Sequence, residues 1–396
     1  MFLKNIKAEV IWKSKLAPKI WLFLTAASII SIFFRNEISY NNFLIFKGVF
    51  WHTWHQQSLY SFYPSEYFDQ NHYGPLFSLM IAPFAIGPTF ISAFFWSMVM
   101  TMTLLYAIQK LDLDQTSKNI ILLIGIQELV VTTLSQQTNP FIAASIILSF
   151  LLIKKGKEQW AAAIIMFGFM IKIYGIAGGA FIIFSKRPFK LITYCLLWGT
   201  IFFIAPMLIS SPSYILNAYK EWYEILVVKH NSNVNLSGAE RMQDISFMGF
   251  FRRALNMNIP NIFFLVPVAI LTYLPGLRNS QFKNERFQYS YLAMILLAVV
   301  MFSSSSESPT YIIAVTGVAI WYVVNEKSNT LHGKILLIFM LLLTCFSYTD
   351  LFPASIRNVY VIPYSLKALP CMVIWAWIVW ELMTKDFTSK REDQPL

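Results

Sequence analysis

The feature that most constrains this chain is a succession of apolar blocks, each near the length that spans a bilayer, divided by short basic or polar turns. A membrane-crossing helix needs roughly 17–25 predominantly apolar residues. Candidate blocks lie around residues 20–34, 89–108, 119–133, 140–153, 191–209, 261–274, 289–302, 310–324, 331–347 and 365–383. Several are short, and snorkelling lysines or a thinned bilayer would have to help them. Only 13% of the residues are charged, about half of what a soluble domain carries. The expected fold is therefore all-α: a polytopic transmembrane bundle of about ten full spans, forming one integral membrane domain over residues 1–396. The segment 1–19, with Lys4, Lys7, Lys13, Lys15 and Lys19, offers no convincing cleavage site, and reads as the cytoplasmic flank of a retained first span.

One block resists a single crossing. Residues 159–184 carry Lys172 midway, with Gly175, Gly178 and Gly179 just beyond. Basic clusters flank both sides, Lys154, Lys155 and Lys157 before, Lys186, Arg187 and Lys190 after. A re-entrant pair of short helices meeting near Lys172 keeps both clusters on one face, as the positive-inside rule prefers. With that hairpin, 21 of the 31 Lys and Arg fall on the inner side and 9 on the outer, with Lys172 in neither set. Both termini, including the tail 384–396, are then cytoplasmic, in a plasma (inner) membrane protein. The net charge of +11 thus reads as topology and not as a nucleic-acid surface.

Two segments, 35–75 and 210–259, are too long and polar for turns and fall on the outer face. Their aromatics, among them Trp51, Trp54, Tyr60, Tyr63, Tyr67, Trp222 and Tyr223, argue for short interfacial helices over disorder. The first holds the densest polar run before an apolar block, Asp69-Gln70-Asn71-His72-Tyr73-Gly74-Pro75. A carboxylate at that boundary can be desolvated into a working range for a base. Lys172 is the second outlier, because a cation at membrane depth is by default functional; its partner would be a lipid phosphate or a carboxylate such as Glu128. The run Ser303 to Pro309, with Glu307, could bind sugar hydroxyls. Arg252 and Arg253 could grip a phosphate. Each has a plainer reading, as a cap, an ion pair, a tight turn or an interfacial basic pair. Cys195, Cys345 and Cys371 lie in apolar stretches without metal-ligand spacing, His52, His55 and His72 make a weak metal case, and P-loop, GxGxxG, HExxH and GxSxG motifs are absent.

The stretch NNFLIFKGVFWHTWHQQSLYSFYPSEYFDQNHYGPLFSLMIAPFAIGP resembles the first extracytoplasmic loop of glycosyltransferase family 87. The block LSQQTNPFIAASIILSFLLIKKGKEQWAAAIIMFGFMIKIYGIAGGAFIIFSKRPFK is similar to that family's most recognisable region, through Gln137, Asn139, Lys154–Lys157, and Lys172 with Tyr174. The likeness covers residues 40–190. It implies a GT-C type hexosyltransferase, mannosyl-like, that uses a polyprenyl-phosphate sugar on the extracytoplasmic side. Relatives often carry Asp near the start of this loop, where this chain has Asn41 and Asn42, so the base is assigned to Asp69, with Glu66 next.

A phosphate leaves as an anion without protonation, so one carboxylate suffices where glycosidases need two. Lys172, Arg252 and Arg253 are the expected donor phosphate ligands. His72, Tyr73, Gln137, Asn139, Tyr174 and Glu307 are the expected substrate contacts. No cofactor beyond the lipid-linked sugar co-substrate is expected; the resemblance leaves a divalent metal open, but no acidic pair demands one and no metal ligand is assigned. The partners are the lipid bilayer, that donor, and a glycan or glycolipid acceptor. The rival reading is a transporter or flippase of a lipid-linked sugar, which the missing inverted repeat disfavours.

Overall fold

The computed structural model describes residues 16–35, 37–234, 242–257 and 259–387. The lysines before Lys19, Glu240 and the tail beyond residue 387 lie outside these. All regular structure among the described residues is helical. In chain order the helices are α1 (Leu16–Phe33), α2 (Asn41–His55), α3 (Phe77–Ala85), α4 (Thr89–Gln109), α5 (Gln115–Ile124), α6 (Ile126–Leu134), α7 (Asn139–Lys154) and α8 (Glu158–Ile171). A 3-10 stretch, Ile173–Phe184, follows. The second half holds α9 (Pro188–Ile204), α10 (Pro212–Val234), α11 (Phe247–Ala254), α12 (Ile262–Tyr273), α13 (Glu285–Met301), α14 (Tyr311–Val324), α15 (Leu331–Met340) and α16 (Leu369–Thr384).

Among the described residues four helical segments are long and apolar enough to cross a membrane: Leu16–Phe33, Thr89–Gln109, Pro188–Leu208 and Leu366–Thr384. A fifth is gained if α5 and α6, bent by 51°, count as one span. The other apolar helices run 10–17 residues, so four or five segments, and not ten, reach full spanning length among the described residues. Several of these runs are irregular. Pro267 lies inside α12, Pro275 opens a 3-10 turn after it, and α15 loosens into a π-helix at Leu341–Phe346. The surroundings are nevertheless apolar: α12 is apolar but for Thr272 and buries none of its side chains, an arrangement that water penalises and hydrocarbon does not.

Segment 158–184 turns back on itself. The 3-10 stretch packs along α8, and Ser185 Oγ at its far end donates to Glu158 Oε1 at the start of α8, 3.3 Å away. Gly175 makes this possible, since a Cβ there would lie 2.2 Å from the carbonyl carbon of Gly168. Lys172 sits at the bend in extended conformation.

The core has two parts. The larger surrounds α7, α13, α14 and α16; the smaller gathers Phe43, Phe46, Phe77 and Trp96 beneath the first loop. One end of the bundle is tied by Lys154 to Glu285 at 3.3 Å, Arg286 to Glu326 at 3.0 Å and Asp112 N–H to the Tyr289 hydroxyl at 2.9 Å. Glu128 is fully buried and pairs with Lys367 at 2.8 Å, not with Lys172 as one reading of the sequence had it. The second long segment forms the 23-residue α10 and the short α11, of 8 residues.

Candidate active site

A cavity of about 360 Å³ opens where the two core clusters meet, at the end of the bundle opposite those ties. Its first wall is the segment from Asp69 to Tyr73. This stretch has no regular ladder, so side chains satisfy its backbone. Asn41 Oδ1 accepts the Phe68 N–H at 2.7 Å, Gln70 Nε2 donates to the Tyr60 carbonyl at 2.9 Å, and Asn71 Oδ1 accepts the Tyr73 N–H at 2.9 Å. From outside, Trp222 Nε1 of α10 donates to the His72 carbonyl at 3.0 Å. Gly74 then seats the loop against the hairpin: its N–H reaches the Ile171 carbonyl at 3.1 Å, and a Cβ there would lie 2.1 Å from the Met170 carbonyl oxygen.

The second wall is built around Lys172. Its Nζ donates to Asn139 Oδ1 at 2.9 Å and stands 4.9 Å from the Tyr174 ring and 5.8 Å from the Tyr73 ring. Asn139 opens α7 and is buried. The Tyr73 hydroxyl bonds Gln137 Oε1 and Thr138 Oγ1, each at 3.1 Å. Tyr174 bonds Ser303 Oγ at 2.7 Å, joining the hairpin to the serine turn. That turn is pinned in its own right: Ile245 N–H donates to the Ser306 carbonyl at 2.8 Å, and Asn233 Nδ2 of α10 donates to the Ser304 carbonyl at 2.9 Å.

The electrostatics are mixed. Asp69 is exposed to the cavity mouth and accepts one hydrogen bond, from the Gln70 N–H at 2.8 Å. Enclosure pushes the Glu307 carboxyl above its usual range, with nearby Lys172 and Lys229 opposing this. His72 is pushed down to about 4, first by burial and then by Lys229, so its ring is neutral at neutral pH. Two ammonium groups and two carboxylates therefore share one chamber.

A sequence model of glycosyltransferase family 87 matches residues 71–347, well over half of the chain. The chain belongs to glycosyltransferase family 87. It is a glycosyltransferase, and its apolar helices make it a membrane one. No curated protein and no solved structure matches it. The match reaches far beyond the likeness visible at 40–190 and takes in Lys172, Lys229 and Glu307, while Asp69 lies just before it and Asn42 well before.

Of the residues singled out in the sequence, the cavity of this transferase is lined by Asp69, His72, Tyr73, Gln137, Lys172, Tyr174 and Glu307, with Asn42 beside them; Asn139 supports Lys172 from behind. Three others point elsewhere. Glu66 is half exposed and pairs with His52 at 3.2 Å, outside the lining. Arg252 is buried on Asp244 at 2.6 Å and also donates to Asn261 at 2.7 Å. Arg253 donates to the Gln243 carbonyl. These arginines brace the second loop and do not face the chamber.

Sequence reasoning missed Trp222, Lys229, His230 and Gln243, all of which line the cavity. A signal was present in α10, where Trp222, Leu226, Lys229 and His230 recur at helical spacing and form one face toward the cavity. His230 Nδ1 is bonded to Ser304 Oγ at 3.0 Å. Among the described residues no group of three His, Cys, Asp or Glu could hold a metal ion.

Proposed function

We propose that this transferase moves a hexosyl group, mannosyl in our reading, from a polyprenyl-phosphate donor to a glycan or lipid-linked acceptor. The reaction takes place on the extracytoplasmic face of the plasma membrane, with both termini cytoplasmic. The observation that carries the reading is the convergence of one mouth-facing carboxylate, Asp69, and an aromatic-flanked cation, Lys172, on a single chamber.

In this mechanism Asp69 takes the proton of the acceptor hydroxyl. The acceptor oxygen bonds to the anomeric carbon as the bond from that carbon to the phosphate oxygen breaks, with inversion. The phosphate keeps the electron pair, and the ammonium of Lys172 stabilises it. Asn139 and the two tyrosine rings aim that ammonium before substrate arrives, so little reorganisation accompanies the transfer. Gln137, His72 and the serine turn contact the sugar, and no cofactor enters.

The test is to incubate the purified protein with polyprenyl-phosphate mannose and acceptor and to follow release of polyprenyl phosphate. Asp69→Asn abolishes release, by about 10³-fold or more, and leaves the melting curve of the exposed loop variant unchanged. Full activity in that variant refutes the base assignment. Donor translocation across proteoliposomes without cleavage would instead support a flippase.

A further inference from the structure

The four unbonded or lightly bonded charges of the cavity, Lys172, Lys229, Asp69 and Glu307, carry a consequence for the end of the reaction. This inference rests on the phosphate leaving group of the proposed function. The donor is a phosphodiester with one negative charge. Transfer forms the bond from acceptor oxygen to anomeric carbon and breaks the one to phosphate. The electron pair stays on the phosphate oxygen and the acceptor proton goes to Asp69. What remains is a phosphate monoester, whose second ionisation falls near pH 6, so that it carries close to two charges at neutral pH. A chamber built only to attract phosphate would hold this product more tightly than the donor it needs next.

We propose that Glu307 sets the selectivity of the cavity for donor over product, its carboxylate weakening the hold of Lys172 and Lys229 on the released phosphate monoester. Glu307 occupies the serine turn, on the wall that also meets Tyr174 and α10. Its backbone N–H bonds Thr310 Oγ1 at 3.2 Å, which fixes its place at the entry to α14. Its side chain is half-buried and lines the cavity together with Gln243, so the charge lies inside the chamber. Neither Lys172 nor Lys229 makes an ion pair with it within bonding distance, so both ammonium groups stay open to phosphate. Once Asp69 has shed its proton, two ammonium groups face two carboxylates, and the product dianion finds no net attraction. The donor, with half the charge, is affected half as much on a logarithmic scale. The same pair of lysines can then serve binding and leaving-group stabilisation without becoming a trap.

The experiment uses the purified full chain in detergent, with polyprenyl-phosphate mannose as donor and a short-chain polyprenyl phosphate as added product. Glu307→Gln leaves a net positive chamber. Its inhibition constant for the product falls about tenfold, the size of one charge acting at such a separation in a partly screened site, while KM for the donor falls about threefold. Turnover then shows a burst followed by a slower steady rate. Glu307→Asp restores the inhibition constant, and Lys229→Gln shifts it upward by more than it shifts the donor KM. Should Glu307→Gln fail to fold, the unequal response of Lys229→Gln carries the test. Product inhibition within twofold of wild type, or equal shifts for product and donor, overturns the proposal. If the wild type releases no phosphate from any polyprenyl-phosphate sugar, it is the underlying reaction that fails; if it turns over but Glu307 does not alter inhibition, only this inference does.

Discussion

Replacing Lys172 with methionine keeps the length of the side chain and removes its charge, which makes it a clean perturbation of the chamber. In the folded protein the ammonium has one hydrogen bond of 2.9 Å to Asn139 and two aromatic neighbours at 4.9 and 5.8 Å. Each ring contact is worth about 0.5–1 kcal/mol, and the charge-assisted hydrogen bond about 1.5–3 kcal/mol. Against these stands the desolvation of a half-buried cation, which methionine avoids. The terms nearly cancel, so the melting temperature moves by only a few degrees. Catalysis has no such offset. Removing one preorganised donor from a developing anion typically costs about 10²–10³ in rate, and that is the loss expected in kcat/KM for release of polyprenyl phosphate. Asn139→Ala, which keeps the charge and loses its aim, costs about tenfold. The assay is initial-rate release measured beside a thermal melt of each variant. A Lys172→Met enzyme within threefold of wild type refutes the reasoning, as does a loss that only tracks unfolding.

Other tests address the frame around the chamber. Gly74→Ala places a Cβ 2.1 Å from the Met170 carbonyl oxygen, so the loop must lift off the hairpin; activity falls below a tenth of wild type and limited proteolysis cuts the first loop sooner. Lys367→Met leaves Glu128 buried without its partner and costs about 3–5 kcal/mol, whereas Glu128→Gln with Lys367→Met recovers most of it; equal melts for single and double variants would contradict this. His72 has a folded-state pKa of about 4 against an ordinary value of 6.5. Between those values the unfolded chain binds the proton and the folded chain does not, so stability is full above about pH 6.5 and declines toward pH 4. His72→Gln narrows the gap between melting temperatures at pH 7.5 and pH 5, and an unchanged gap counts against the assignment.

How far the sequence could be read depended on the range over which each feature is encoded. The bend at Lys172 is local: a cation, a glycine at position 175 and basic flanks on both sides announce a turn-back, and the glycine contact with Gly168 shows its cause. The run from Asp69 to Tyr73 was legible because its polar residues crowd together. Partnerships between distant residues were not. Glu128 and Lys367 are 239 residues apart, and nothing near either one identifies the other. Arg252 looked available because Asp244, eight residues earlier, meets it only after the loop folds. Lys229 and His230 drew no notice in the sequence, because only the placement of α10 turns that face toward the cavity. The apolar blocks themselves come out close to the lengths read, as Ile262–Leu277 and Leu331–Phe346 do against 261–274 and 331–347.

The chamber draws its walls from Asn42 at one extreme and Glu307 at the other, with the hairpin between them. During synthesis, therefore, the first loop and Lys172 leave the ribosome long before the serine turn that completes their enclosure. A nascent chain stopped short of residue 303 displays Asp69 and Lys172 on an open surface, without Tyr174's partner Ser303 and without the second carboxylate. Competence to bind substrate is thus acquired late and abruptly in the life of the molecule. A truncated chain does not work slowly as a partial transferase; it presents an unclosed cleft to the membrane surface.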